Sequence, residues 1–165
     1  MDFDRLVEEV GDLEAVLNSY LLKDGIRDAF IIQNPYLEDK ISVYIESIKK
    51  VFPNFVFTQM DQGILVTRDA KIPIDLQNYA EVQLGNLLGY PCAGDIGIHR
   101  NFSLTIWATY KGNRYDVYGM ICKERNNEKM ANFVKKITSY INNLNKQIKN
   151  KIEIDVQVKK LYSID

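Results

Sequence analysis

The segment NFSLTIWATYKGNRYDVYGMIC, residues 101–122, constrains the fold more than any other part of the chain. Apolar and polar residues alternate on both sides of Lys111-Gly112-Asn113-Arg114, and a period of two belongs to a half-buried strand. A two-residue Gly-Asn loop suits the primed turns that join twisted antiparallel strands, so the segment predicts a β-hairpin. In that register Phe102, Leu104, Ile106 and Ala108 share a face with Tyr115, Val117 and Ile121. Trp107 then lies directly across from Tyr118 on the other face.

The other elements follow from periodicity. Phe3, Leu6, Val10, Leu13, Leu17 and Tyr20 recur at steps of three and four, which predicts one long amphipathic helix over 2–23, closed near Asp24-Gly25. Residues 26–32 fit either a strand or a helical turn. Asn34-Pro35 begins a second helix, Asn as cap and Pro in the first turn, that runs to Phe52 ahead of Pro53. Residues 55–59 and 64–68 form a second hairpin around Met60-Asp61-Gln62-Gly63, where the glycine serves a positive φ. Asp75 caps a third helix running to Leu88, before Gly89 and Pro91. A fourth covers about 127–149, its inner face Met130, Val134, Ile137, Ile141, Leu144 and Ile148. Residues 151–160 alternate strictly and form a last half-buried strand. The expected architecture is therefore α+β: a mainly antiparallel sheet of about five strands with about four helices packed on it, in the order ααββαββαβ, forming a single domain over 1–165.

Composition narrows the class of protein. Hydrophobic residues at 46% and charged residues at 26% are those of a globular chain able to bury its own core. No apolar run approaches the span of a bilayer, and the acidic start MDFDRLVEEVGDLE lacks the pattern of a signal peptide. A cytoplasmic protein, of the cell or of a host, is expected, with no membrane partner. Two cysteines are too few for a disulfide framework. Richness in Ile, Asn, Lys and Tyr is compatible with an AT-rich genome, viral or microbial. Charge is uneven: residues 1–75 hold 8 basic and 14 acidic side chains, residues 76–165 hold 13 and 8.

The stretch GNLLGYPCAGDIGIH, residues 85–99, concentrates the unusual residues: four glycines, Pro91, Cys92, Asp95 and His99, the only histidine. Cys92 as nucleophile, His99 as base and Asp95 as its orienting group form one candidate catalytic set. Cys92, Asp95, His99 and Cys122 form a candidate zinc site by residue type, although no recognised finger spacing is present. The plainer reading is a small apolar thiol under a turn. Neither a phosphate loop nor a dinucleotide fingerprint occurs, and no cofactor is expected. Lysines on and after the last helix, Lys135 and Lys136 among them, together with Trp107 and Tyr118, could contact single-stranded nucleic acid. Against this stands the pI of about 5.9.

Because the ionisable groups do not converge in sequence, the residues favour a non-catalytic protein-interaction module that binds a protein partner or a second copy of itself. Two alternatives stay open: an enzyme or metal protein centred on Cys92, Asp95 and His99, and nucleic-acid binding through the basic C-terminal half.

Overall fold

A computed structural model describes residues 2–32, 41–60, 63–68, 88, 102–122 and 128–160. The expected helix over 75–88 lies outside these residues except for Leu88, as does the glycine-rich stretch up to His99. The chain gathers into two compact units, Met1–Tyr79 with Leu87–Gly89, and Ala80–Asn86 with Tyr90–Asp165.

The first unit contains α1 (Phe3–Val10), α2 (Leu13–Lys23), β1 (Ala29–Ile32), α3 (Ile41–Val51), β2 (Val56–Met60) and β3 (Gly63–Thr67). The single helix expected over 2–23 is two. Gly11 takes φ +76 and closes α1 by donating its N–H to Val7 O at 2.7 Å, while the next residue, Asp12, accepts from Glu14 N at 2.9 Å and caps α2. A left-handed glycine followed at once by an N-cap aspartate ends one helix and starts another. The break leaves α2 buried almost all round, through Leu13, Ala15, Val16, Leu17, Leu21 and Leu22. Tyr44 of α3 donates its hydroxyl to Asp12 Oδ2 at 2.5 Å, so the same carboxylate caps one helix and ties in another. Burial first, then the charge and hydrogen bond of Asp12, raise the Tyr44 phenol well above its ordinary range.

The segment 26–32 resolves as a strand from Ala29. It pairs antiparallel with β3, as does β2, giving the order β1-β3-β2. Gly63 opens β3 at φ +138, and a Cβ there would stand 2.2 Å from Ile32 O. The glycine thus permits both the torsion and the close approach of the neighbouring strand. Phe30, Leu65 and Val66 of this sheet are buried with Leu6, Leu17 and Ile48 of the helices.

The second unit contains β4 (Phe102–Tyr110), β5 (Asn113–Cys122), α4 (Glu128–Leu144) and β6 (Glu153–Lys160) in a sheet ordered β5-β4-β6, again antiparallel. Met130, Ile137, Ile141 and Leu144 form the buried stripe of α4. Asn145 closes the connection to β6, donating Nδ2 to Ile152 O at 2.9 Å and accepting Ile152 N at 2.8 Å. The α+β class with antiparallel strands stands as expected. It takes the form of two three-stranded sheets, because each unit closes its own apolar stripes. Among the described residues no helix is long and apolar enough to cross a membrane.

Candidate functional site

The register of the first sheet brings chemistry to Arg68. Ala29 and Val56 both face Thr67, so extending each ladder by one residue places Asp28 on one side of Arg68 and Phe55 on the other. Arg68 Nη2 indeed meets Asp28 Oδ1 at 2.6 Å. Phe55 stacks on Phe52 with ring centroids 4.8 Å apart and planes 12° from parallel. Their backbone explains the stack: Phe52 N closes the last turn of α3 on Ile48 O at 2.8 Å, and Phe55 N then bonds Phe52 O at 3.1 Å around Pro53-Asn54. Proline at the second position of such a turn has its φ preset. Tyr20 of α2 packs its ring edge on Phe52 at 5.4 Å, and Lys23 Nζ lies 5.4 Å from the centre of the Tyr20 ring.

Together Tyr20, Lys23, Phe52, Asn54, Phe55 and Arg68 surround a cleft of about 450 Å³. Its floor is aromatic, with Phe52 7% and Phe55 9% exposed. Two cations stand at its rim. Burial, with the charges of Asp2 and Asp24 adding to it, raises the Tyr20 phenol, so the hydroxyl stays protonated and remains a donor at neutral pH. A flat ring on the floor and an anion at the rim would both be accommodated.

The second unit carries a groove of about 500 Å³ between α4 and the sheet, walled by Leu104, Met130, Ala131, Val134, Val156 and Val158. Lys135 lines it, whereas Lys136 is exposed on α4 and does not. One residue along a helix turns a side chain by about 100°, so the two lysines leave α4 in different directions. The expected Trp107–Tyr118 pair does not form. Lys111 and Gly112 make the turn, at φ +50 and +78, in place of Gly112-Asn113, and a bulge follows between Ile106 and Trp107. Trp107 therefore faces Asp116, and Tyr118 faces Ile106 and packs at a tilt of 37° against Phe133 of α4, centroids 4.5 Å apart. A type I′ turn needs positive φ at both centres, and the single extra residue of the bulge reverses the faces beyond it. Half-buried Trp107 carries the Arg114 guanidinium over its ring at 4.5 Å, and Arg114 also reaches Asp155 at 3.2 Å. Burial raises the Asp116 carboxyl, partly offset by a hydrogen bond from the Tyr118 backbone.

Cys92, Asp95 and His99 lie outside the described residues. Cys122 ends β5 opposite Phe102, as the shifted turn and the bulge together require. Among the described residues no three His, Cys, Asp or Glu side chains gather as a metal group. The aromatic cleft was not anticipated, because its members come from four places between residues 20 and 68. The one local signal was Phe52-Pro53-Asn54-Phe55, two aromatics around a turn dipeptide.

No family model matches the chain. No solved structure matches it. Over 89 residues it is 25% identical to a dTTP/UTP pyrophosphatase of Acinetobacter baylyi, a stretch covering 54% of this chain and 40% of that protein. The chain thus spans about two fifths of the length of the curated relative it matches. This likeness to an enzyme overturns the expectation of a non-catalytic interaction module, which rested on the absence of convergent ionisable groups in sequence. Side chains that meet in space need no proximity in sequence.

Proposed function

We propose that the chain is a nucleotide-directed hydrolase, acting on a phosphoanhydride bond of a nucleoside triphosphate. The observation that carries this reading is the stretch similar to a dTTP/UTP pyrophosphatase. The cleft of the first unit supports it with a matching chemistry. The stacked Phe52 and Phe55 offer an apolar seat for a base, and Lys23 and Arg68 offer positive charge to the phosphates. The neutral Tyr20 hydroxyl adds a hydrogen-bond donor. In such a reaction water attacks phosphorus, the bridging oxygen leaves with pyrophosphate, and the protein contributes mostly position and electrostatics. Thymine and uracil both present a ring flanked by two carbonyls, so a pyrimidine triphosphate is the first substrate to try. Within this reading Asp95 and His99 are proposed to transfer the proton, on residue type alone.

The test is pyrophosphate release from UTP, dTTP, CTP, ATP and GTP by the purified chain with magnesium or manganese supplied. Turnover with a preference among the bases is expected, and it should fall in His99→Ala. No release above buffer from any of the five would end the reading.

A further inference from the structure

We infer that the loop joining α2 to β1 holds the cleft in check, with Asp24 and Asp28 competing from outside it for the two rim cations until a ligand arrives. The inference rests on the nucleotide reading and names how that site is regulated.

Both rim cations have a carboxylate of this one loop beside them, bonded to Arg68 and near Lys23. Arg68 Nη2 meets Asp28 Oδ1 at 2.6 Å, and Lys23 Nζ meets Asp24 Oδ1 at 3.9 Å. Arg68 and Lys23 line the cleft; neither aspartate does. The carboxylates therefore approach the cations from outside the space that a ligand would fill. Gly25 between them takes φ +74, and a Cβ there would lie 3.0 Å from Arg68 Nη1, so the loop leaves room for the guanidinium to lie against it. The ladder that pairs Ala29 with Thr67 brings Asp28 beside Arg68. The tether is thus a consequence of strand register.

The bonds are suited to exchange. Side chains in the Arg68–Asp28 pair are 43% and 62% exposed. Such pairs are screened by water and are easily broken. A triphosphate carries several charges where each aspartate carries one, and a guanidinium can bind two phosphate oxygens side by side. The ligand then draws both cations toward the cleft and away from the carboxylates, which otherwise lower its affinity by competing for the same charges. The loop also makes the cleft selective: a singly charged anion gains little over the aspartate with which it competes, whereas a polyphosphate gains from both cations at once.

Calorimetric titration of the full chain at low salt, with inorganic tripolyphosphate and separately with UTP, tests this. Relative to wild type, Asp28→Asn should bind tripolyphosphate roughly threefold tighter and Asp24→Asn/Asp28→Asn roughly tenfold tighter, as expected for removing one and two nearby charges in water. Monophosphate should gain less. Glu46→Gln, on the exposed side of α3, removes the same charge away from the rim and should change nothing. Matching thermal melts would show that the exposed substitutions leave the fold intact. Unchanged tripolyphosphate affinity in the double variant overturns the inference even if UTP is still hydrolysed. Equal tightening by Glu46→Gln overturns it too, because total charge would then be the cause. Tightening without turnover of any nucleotide would support the inference and remove only the hydrolase reading.

Discussion

The two units offer hollows of similar size and opposite character. The cleft of the first, about 450 Å³, has a stacked aromatic floor and two cations at its mouth. The groove of the second, about 500 Å³, is walled mainly by aliphatic side chains of α4, β4 and β6, with Glu128, Lys135, Thr138 and Ser139 also lining it. Volume does not distinguish them; wall chemistry does. Rings and cations suit a flat anionic ligand, whereas the largely aliphatic walls of the groove favour apolar surface. Their origins differ as well. The groove lies where a helix stripe leaves part of a sheet uncovered, with Val156 38% exposed. The cleft exists because two strand pairings and one tight turn end beside the same arginine.

The same contrast holds for the glycines of the two hairpins, and the largest expected effect lies there. Gly63→Ala should destabilise the first unit by about 3 kcal/mol or more, because the added carbon meets the Ile32 carbonyl at 2.2 Å and the torsion is foreign to alanine. Gly112→Ala meets nothing within 4 Å and carries only the torsional cost, about 1 kcal/mol. Urea denaturation of both variants compares them, and equal losses would break the comparison.

Next in size is the effect on binding. Lys23→Gln/Arg68→Gln should weaken UTP binding roughly thirtyfold, taking about 1 kcal/mol for each exposed cation. Lys135→Gln, at the other hollow, should leave it unchanged. A larger loss from Lys135 than from the pair would move the site to the second unit.

The smallest effect concerns alkaline pH. The Tyr44 phenol is raised by burial and by Asp12, so the folded state keeps a proton that the unfolded state sheds. Its stabilisation is complete below the ordinary tyrosine value near pH 10 and is lost as pH rises above it. Tyr44→Phe should cost about 1 kcal/mol at pH 7 and flatten this alkaline decline, as read from melting temperatures between pH 7 and 11. An equally steep decline in the variant would place its cause elsewhere.

Much of the fold was legible locally. The stripes of α3 and α4, the strands on both sides of Met60–Gly63 and the strand β6 stand where periodicity places them, although Val156 of β6 is 38% exposed. The failures have local physical causes as well. Gly11-Asp12 is a cap pair, and its stop outweighed a stripe that ran on through it. In the second hairpin both Lys111-Gly112 and Gly112-Asn113 contain the glycine that a primed turn favours. The register that won puts Lys111 itself at positive φ, and this cost is visible only in the closed ladder.

By itself the sequence determined most of the described helices and strands, and the buried side of α3 and α4. That information is carried by the spacing of apolar residues along a few turns or pleats. Only the tertiary structure decided that Tyr20, Lys23, Phe52, Phe55 and Arg68 meet. Their meeting depends on which strands pair and in what register, and a ladder joins residues tens of positions apart. The likeness to a pyrophosphatase and the aromatic, cationic cleft are thus separate supports for one reading, the first written along the chain and the second only across it.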